Sequence, residues 1–176
     1  PADSLRPPPA PSDAVADLSL LGRAGAEQLA ELWQRTDGGS CGPLELLGPG
    51  ESRAELAKWR ELVTSEEDDP LDDVVAPDWD ASTSLQPTRV QGIYYAMGWI
   101  PVLREPHEAN YLAVDLVPMP EGTPGQVISC GRDEDDKCVV APDLAVALAG
   151  LARLIAQQPT FDARDLLNAA RDGALF

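Results

Sequence analysis

The residues best suited to chemistry are one serine and one histidine. Residues 38–42 read Gly-Gly-Ser-Cys-Gly and match the G-x-S-x-G pattern of hydrolase nucleophile elbows, in which a strand precedes the serine and a helix follows directly. Here a predicted helix precedes the pattern and a Gly/Pro-rich stretch follows it, so we interpret the match at Ser40 as a coincidence of a small-residue loop. His107 lies beside Pro106 and Glu108 in a predicted hairpin loop, where a solvated turn residue is favoured over a catalytic base.

A cation site and a disulfide are the other chemical possibilities, and both involve one acidic loop. The loop consists of Asp133, Glu134, Asp135 and Asp136. Carboxylate oxygens bind hard cations, but the loop lacks the glycine and the final glutamate of an EF-hand, so a solvated hairpin tip is favoured. Cys130 and Cys138 flank the loop and could lie opposite each other on paired strands, although reduced thiols are expected in a cytoplasm. The sequence predicts no enzyme, no metal and no cofactor.

The charge balance restricts the class of partner. Thirteen basic residues against thirty acidic ones leave a net charge of −17, which repels nucleic acid and anionic lipid and attracts cationic partners. No stretch approaches the roughly 20 apolar residues of a membrane-spanning helix, and no charged start leads into an apolar signal core. Three cysteines are too few for a secreted disulfide framework. We therefore predict a cytoplasmic protein with no nucleic-acid or membrane partner.

A proline-rich arm precedes the predicted domain. Residues 1–23 include the run Pro-Pro-Pro at 7–9, which predicts an extended or loosely attached segment. From Ala24 to Thr36, apolar residues recur at spacings of three and four, and two glycines follow. This pattern predicts an amphipathic helix that ends before Gly38.

A second helix follows a Gly/Pro-rich connection. Ser52 and Glu55 have the spacing of a capping box, and apolar residues including Trp59 then recur on one face. We expect Trp59 and Trp33, which belongs to the first helix, to face one core. Residues 65–88 are acidic and polar, and because like charges repel, a long mobile loop is predicted there.

The pattern then changes to short runs typical of strands. Residues 111–116 alternate between two faces, with Leu112, Val114 and Leu116 on one of them. Similar runs lie at 93–95, 99–103, 126–130 and 137–140. Because these runs cluster without long helices between them, an antiparallel sheet is favoured over a doubly wound parallel one.

Two helices are predicted to follow the strands. Asp143 can cap a third amphipathic helix, and a short final helix is predicted over residues 163–171. The predicted fold class is α+β, a single domain over residues 24–158 with a mainly antiparallel twisted sheet and three or four helices. Residues 159–176 are predicted to form the short helix and a tail.

Several motifs occur in a fixed order along residues 24–155. They are Trp33 ahead of Gly38, Trp59 in the second helix, Trp99 with Pro101, the strand from Asn110 to Asp115, and Gly125. In this order they resemble the SUKH superfamily, in the branch with the fungal Smi/Knr cell-wall assembly regulators and many bacterial immunity proteins. Two positions depart from the family pattern: Ala109 stands where a glycine often precedes the asparagine, and Asp143-Leu144 stands where Ser-Phe is favoured. Both keep the physical role, since aspartate caps a helix and leucine packs.

These motif residues also have structural explanations. Trp99 and Pro101 suit the start of an edge-like strand, because proline cannot donate to a ladder. Asn110 and Asp115 bracket a strand and can satisfy turn backbones, and Gly125 supplies a tight turn. We interpret the set as determinants of the fold, with Asn110 and Asp115 the residues most suited to a further role.

The resemblance and the charge together predict a protein that binds another protein. The first hypothesis is a bacterial immunity protein that binds and neutralises a basic toxin, such as a nuclease; the alternative is an intracellular regulator or scaffold related to the cell-wall regulators. The predicted contact surface combines acidic loops with exposed aromatic residues, because interface anchors are often Trp or Tyr. Its residues are Asp68, Asp69, Asp72, Asp73, Trp79, Tyr95, Asp115, Asp133, Glu134, Asp135 and Asp136.

Overall fold

A mixed sheet with helices on both of its faces organises the described residues. The computed structural model describes residues 4–9, 23–63, 74–75, 81–106, 110–173 and 175. The helices are α1 (Glu27–Trp33), α2 (Pro49–Val63), α3 (Leu144–Gln157) and α4 (Ala163–Arg171). The strands are β1 (Gly38–Cys41), β2 (Leu44–Leu47), β3 (Val74–Val75), β4 (Thr83–Ser84), β5 (Tyr95–Ala96), β6 (Trp99–Arg104), β7 (Asn110–Asp115), β8 (Gln126–Gly131) and β9 (Asp136–Ala141).

The strand order explains the fold class. Within the described residues, seven strands form one sheet in the order β1-β2-β6-β7-β8-β9-β4, and β3 pairs separately with β5. Each neighbouring pair is antiparallel except β4 and β9, which run parallel. The predicted α+β domain with a mainly antiparallel sheet and three or four helices is therefore confirmed.

The two faces of the sheet carry two separate cores, as the alternation along β7 predicts. Leu112 and Val114 point to the main core, where they pack with α1, α3 and α4. Tyr111 and Ala113, the intervening residues, belong to an aromatic core on the opposite face. Because a strand turns successive side chains to opposite faces, a strand that is buried throughout supplies both cores.

The two helical tryptophans lie in different cores, so the prediction that they share one is wrong. Trp33 is 1% exposed in the main core, and Trp59 is 4% exposed in the aromatic core. The Trp59 ring stacks on Tyr95 with centroids 4.4 Å apart. Between the two helices the chain passes through β1 and β2 at the edge of the sheet, and this passage takes it from one face to the other.

The hairpin of β1 and β2 was predicted only as a helix stop and a connection. Its four antiparallel pairs run from Gly38 opposite Leu47 to Cys41 opposite Leu44. The available signal was the alternation in β2, where Leu44 and Leu46 are buried and the intervening Glu45 is partly exposed. Glycines are depleted in strands, so Gly38 and Gly39 gave no indication that β1 is a strand.

Helix α2 begins at Pro49, before Ser52. The prediction that Ser52 and Glu55 form a capping box at its start is therefore wrong. Pro49 occupies the first helical position, where a missing N–H costs nothing, and the Gly48 N–H donates to Glu51 Oε2 at 3.0 Å. Ser52 lies inside the helix, fully buried, and its hydroxyl donates to the Pro101 carbonyl at 2.6 Å. The serine therefore joins α2 to β6.

The caps of α3 and α4 follow the sequence more closely. Asp143 caps α3, accepting a hydrogen bond from the Val146 N–H at 2.8 Å, as predicted. Helix α4 covers the predicted residues 163–171 and begins with a capping box of Asp162 and Asp165. Its Leu166 side chain is fully buried in the main core. The segment predicted as a short helix and tail thus contributes to the core of the domain.

The position of Pro101 differs from the prediction of an edge-like strand. Strand β6 lies between β2 and β7 in the interior of the sheet. However, the pairs with β2 involve only Leu103 and Arg104, and the register with β7 shifts between Pro101 and Leu103. An interior strand tolerates proline at such an irregularity. Trp99, at the start of β6, is fully buried in the aromatic core.

Gly125 lies in a turn before β8, as predicted, and it also makes a close approach to α1. Its φ of +93° is in the left-handed region, and an added Cβ would lie 2.3 Å from Gln28 Nε2. The Gln28 amide spans this gap, donating to the Gly125 carbonyl and accepting from the Leu144 N–H at 2.7 Å. The glycine therefore allows α1, the start of β8 and the start of α3 to meet.

All three cysteines lie among the described residues, and none of them forms a disulfide. Cys138 lies opposite Ser129 on paired strands, so Cys130 and Cys138 are not partners in the register. Cys130 faces the aromatic core and Cys138 the main core, and the sheet separates their sulfur atoms. The predicted opposite placement of these two cysteines is wrong.

Candidate protein-binding surface

The predicted contact residues divide into three groups by their place in the structure. Five predicted contact residues lie outside the described residues: Asp68, Asp69, Asp72, Asp73 and Trp79. His107, which the sequence analysis considered as a catalytic base, also lies outside them. The second group, Asp133–Asp136, which we call the acidic tip, consists of the end of the turn after β8 and Asp136, the first residue of β9. The third group, Tyr95 and Asp115, is buried.

Two carboxylates of the acidic tip are exposed. These are Asp133 and Asp135; Asp133 Oδ1 accepts from Arg132 Nε at 3.3 Å, and the Asp133 N–H donates to Asn110 Oδ1 at 3.2 Å. Glu134 forms an ion pair with Arg171 of α4 at 3.2 Å and is 12% exposed. Burial raises the pKa of Glu134, although Arg171 and Lys137 oppose the shift. The tip thus presents negative charge from a backbone that neighbouring elements hold in place.

Strand β4 joins the acidic tip to the long acidic segment of the sequence. The Thr83 N–H donates to the Asp135 carbonyl at 2.8 Å, and the Leu85 N–H donates to the Lys137 carbonyl at 2.9 Å. The Thr83 hydroxyl donates to Asp136 Oδ1. Residues 66–80, which precede β4 in the chain, contain eight acidic residues and no basic one. Thr83 and Ser84, which lie toward the C-terminal end of the predicted loop 65–88, therefore form a strand that pairs with the start of β9 at the acidic tip.

A buried lysine lies behind the tip. Lys137 is 0% exposed, its ammonium group donates to the Glu134 carbonyl, and it lies 6.0 Å from the Tyr94 ring centroid. A cation over an aromatic face is favourable at such a distance. The lysine therefore fixes the inner side of the acidic turn while the exposed carboxylates face outward.

Tyr95 is not an exposed anchor, and that prediction is wrong. It is 0% exposed, and its hydroxyl donates to the Trp99 carbonyl at 2.8 Å. Burial raises its pKa well above the usual value. Of the two adjacent tyrosines, Tyr94 is the partly exposed one, because the Trp59 ring stacks on Tyr95.

Asp115 is equally buried and serves the fold. Its Oδ1 accepts from the Val117 N–H at 2.9 Å, its Oδ2 accepts from Gln126 Nε2 at 2.9 Å, and its carbonyl accepts from the Gly125 N–H. Gln126 also donates to the Arg89 carbonyl at 2.8 Å. Asp115 therefore closes the connection from β7 to β8, and its predicted place on the contact surface is wrong because the carboxylate is out of reach of a partner.

Comparison with known proteins finds relatives among fungal regulatory proteins. No protein-family model matches the chain. The chain is 39% identical over 111 residues to the cell wall biosynthesis/cell cycle regulator smi1 of Schizosaccharomyces pombe, a match that covers 61% of this chain and 21% of that protein. It is 46% identical over 69 residues to the glucan synthesis regulatory protein of Neurospora crassa (39% of this chain, 13% of that protein). It is 38% identical over 69 residues to the cell wall assembly regulator SMI1 of Saccharomyces cerevisiae (39% and 14%).

The chain contains an SMI1/KNR4-type (SUKH) domain. It is a distant homologue of the fungal KNR4/SMI1 regulators, and the family resemblance predicted from the sequence is confirmed. The matched segments span between 10% and 21% of the length of these curated relatives.

The SMI1/KNR4-type domain also contains a charged network that the sequence did not reveal. Arg104 of β6 donates to Glu45 of β2 at 2.9 Å from Nε, and to Glu55 of α2 at 2.7 Å. Glu55, whose side chain is 7% exposed, also accepts from the Tyr111 hydroxyl at 2.9 Å and from Lys58 at 2.8 Å. Burial opposes ionisation of Glu55, but these hydrogen bonds outweigh it and lower its pKa. The network joins α2 to the sheet.

Replacing Arg104 by methionine is expected to destabilise the domain by about 2 kcal/mol, because a largely buried Glu55 carboxylate loses a charged donor. Urea unfolding at neutral pH measures the change. The double variant Arg104→Met/Glu55→Gln should lose less than the sum of the two single variants, since it removes both charges. Additive losses would contradict a direct coupling between the two side chains.

The described part of the SMI1/KNR4-type domain does not assemble the chemistry that the sequence raised. Ser40 lies within β1, and a second strand follows rather than a helix, so a nucleophile elbow does not form there. Among the described residues, no group of three or more His, Cys, Asp or Glu side chains is placed to hold a metal ion. A bilayer-crossing helix needs about 20 apolar residues, and none of the helices formed by these residues meets that requirement.

One apolar concavity lies at the other end of the domain from the acidic tip. It encloses about 450 Å³ between α1 and α3, with Leu32, Leu144 and Leu148 among its lining residues. Its charged rim includes Glu31 and Arg35, which pair with each other at 2.7 Å. Asp143 also lines the concavity. Because the other two charges compensate each other, the concavity carries less negative charge than the acidic tip.

Proposed function

We propose that this chain is a non-enzymatic protein-binding domain that acts as an intracellular regulator or scaffold. The observation that carries the proposal is its homology to fungal proteins named as regulators of cell wall biosynthesis, glucan synthesis and cell wall assembly. A regulator of this kind works by contact with other proteins. The SMI1/KNR4-type domain is the part of those regulators that this chain shares.

The acidic tip is the proposed contact surface. Asp133 and Asp135 are exposed, and their backbone is supported by the hydrogen bond that the Asp133 N–H donates to Asn110 Oδ1 and by the one that the Asp135 carbonyl accepts from the Thr83 N–H. A rigid, charged turn steers an oppositely charged partner and fixes its orientation without a large entropy loss on binding. The eight acidic residues at 66–80 precede the strand that pairs with the tip. The partner that fits is a protein with a basic surface.

A second candidate function is that of an immunity protein that binds and neutralises a basic toxin, such as a nuclease. The observation that favours it is the net charge of −17, since an acidic inhibitor captures a basic toxin quickly. The names of the relatives favour the regulator instead. Both candidates use the same acidic surface and differ in the identity of the partner.

Differential capture from the native cell tests the proposal. The wild-type chain and an Asp133→Lys/Asp135→Lys variant serve as matched baits, and quantitative mass spectrometry compares the proteins that they retain. We expect a protein with a basic surface to be retained by the wild type and lost at least about tenfold from the variant, because reversal makes the contact repulsive. The proposal fails if the two baits retain the same proteins in equal amounts.

The identity of the captured protein separates the two candidate functions. A toxin encoded next to the gene for this chain, whose toxicity is suppressed when the two are expressed together, establishes the immunity function. A protein of cell-wall synthesis or cell-cycle control, captured from cells without such a neighbouring gene, establishes the regulator. Co-expression is the sharper measurement, because cell survival depends on neutralisation and not on binding alone.

A further inference from the structure

Part of the proline-rich arm lies along the free edge of the sheet. Leu5 bridges Gly39 in antiparallel fashion, the Arg6 N–H donates to the Gly38 carbonyl at 2.7 Å, and the Ser40 N–H donates to the Ser4 carbonyl at 3.3 Å. Residues 4–6 thus pair with the outer side of β1 around this single bridge. Backbone pairing of this kind is how extended peptides bind an exposed sheet edge.

Gly39 makes room for this added backbone, because a Cβ there would lie 2.2 Å from the Ser4 carbonyl oxygen. A Cβ on Gly38 would lie 2.3 Å from the Leu46 carbonyl oxygen of β2 and 2.6 Å from Arg6 Nη2. Both residues also have positive φ angles, so a side chain there would be both strained and obstructive. The edge of β1 is therefore shaped to accept a peptide at close range.

Arg6 supplies the specific contact of the arm. Its Nη1 and Nη2 donate to the two carboxylate oxygens of Glu51, the first at 2.9 Å, and its Nε donates to the Asp37 carbonyl at 2.7 Å. Burial opposes ionisation of Glu51, but the hydrogen bonds from Arg6 and from the Gly48 N–H outweigh it and lower the pKa of that carboxyl. A paired carboxylate of this geometry suits an arginine and not a lysine.

Two further hydrogen bonds hold the arm: the Thr36 hydroxyl donates to the Arg6 carbonyl at 2.9 Å, and the Asp37 N–H donates to the Pro7 carbonyl at 3.2 Å. Leu5 is 57% exposed and does not anchor the arm. Pro7, Pro8 and Pro9 have no N–H, so this part of the arm can only accept backbone hydrogen bonds. A polar cavity of about 290 Å³ lies beside it, lined by residues that include Ser40, Glu45 and Arg104. The attachment of residues 4–9 thus consists of hydrogen bonds and one ion pair, which another extended segment with the same donors and acceptors can replace.

From these contacts we infer that the β1 edge and Glu51 form a binding site for an extended segment of another protein that carries arginine followed by proline, and that residues 4–9 occupy this site as an exchangeable internal competitor. The site lies at the opposite edge of the sheet from β4 and the acidic tip. It is a second protein-binding surface, so its failure would leave the role proposed for the acidic tip untouched.

A peptide with the sequence of residues 4–9 tests the inference on the full chain. The probe is this peptide, acetylated and fluorescently labelled, titrated by anisotropy against the wild type and the Arg6→Glu variant. We expect at least about tenfold tighter binding to Arg6→Glu, because a short tether keeps the wild-type arm at an effective concentration near millimolar. In the wild type the peptide must displace that arm. Arg6→Ala, a milder change at the same half-exposed side chain, provides a second test if Arg6→Glu does not fold.

Specificity is tested in the Arg6→Glu background. Adding Glu51→Gln should weaken peptide binding at least about tenfold, whereas Glu31→Gln, which removes the charge of an exposed glutamate on α1, should leave it unchanged. Hydrogen exchange should show that the peptide protects the Ser40 amide. Equal affinity of the wild type and both Arg6 variants for the peptide, or binding that survives Glu51→Gln, would overturn the inference and make residues 4–9 a fixed strand.

Discussion

Replacing Asp133 and Asp135 by lysine is expected to slow association with the captured partner at least about tenfold at low ionic strength. The two substitutions change the charge of the exposed part of the acidic tip by four units. At about 0.01 M salt the Debye length is about 30 Å, so this charge acts on a partner well before contact. Stopped-flow or surface-based kinetics measure the association rate, which should converge toward that of the wild type as salt is raised.

A matched variant separates steering by the tip from the effect of net charge. Glu27→Lys/Glu121→Lys also changes the charge by four units. Gln28, next to the first of these positions, contacts Gly125, and Glu121 lies in the connection before β8, whereas the tip follows β8. The six residues of that strand separate the two locations by roughly 20 Å. At about 0.15 M salt the Debye length falls to about 8 Å, well below this separation, so there the control should slow association much less than the tip variant. Equal slowing by both variants at that salt would show that the tip has no particular role.

The buried carboxyl of Asp115 is expected to make the domain lose stability as the pH rises from about 4 to 7. Burial raises the pKa of Asp115 to about 6 from its usual 3.8, although hydrogen bonds from Gln126 and the Val117 N–H oppose the shift. Between these values the native state holds a proton that the unfolded state releases. The stabilisation that this proton gives the native state is therefore complete below about pH 4, and it is lost as the pH rises through the native pKa of Asp115. Its size is about 3 kcal/mol, since each pKa unit corresponds to roughly 1.4 kcal/mol.

The Asp115→Asn variant isolates this contribution. Urea unfolding across the same pH range should show the stability of the wild type falling relative to the variant by up to about 3 kcal/mol. Glu55 and Glu51 shift in the opposite direction, so only the difference between the two proteins reports Asp115. Asp172→Asn, at an exposed position, controls for the change in net charge. A difference that is flat with pH would show that Asp115 is ionised in the native protein throughout the range.

Much of this fold could be predicted from the sequence, because burial on one or two faces imposes a period on the residues. The alternation along residues 111–116 located β7 and its two faces, and Asp143 marked the start of α3. Helix α4 was predicted over the observed residues 163–171. In each case the information is local, since the cap, the period and the following breaker lie within one element.

The hairpin of β1 and β2 could not be predicted in this way. Its glycines indicate a loop when only local propensity is considered. In the structure, Gly39 is required by an approach of the Ser4 backbone, a contact between distant parts of the chain. The place of Pro101 in an interior strand depends in the same way on where β2 stops pairing.

The candidate site shows the same division between local and distant information. The acidic tip was predicted because four consecutive carboxylates between two strands rarely lie anywhere but at a turn. The burial of Tyr95 depends on Trp59, which comes from a different element of the chain. The network of Arg104 draws Glu45, Glu55 and Tyr111 from three elements, and its members show no pattern in the sequence.

The short segments beside β1 and β9 have a consequence for behaviour at high concentration. A sheet edge with unpaired amides and carbonyls is a template on which further chains assemble into aggregates. Leu5 and its neighbours occupy that position outside β1, and β4 occupies it outside β9. Variants that release residues 4–9 should therefore self-associate more readily than the intact chain. In that case the proline-rich arm also protects this protein against polymerisation.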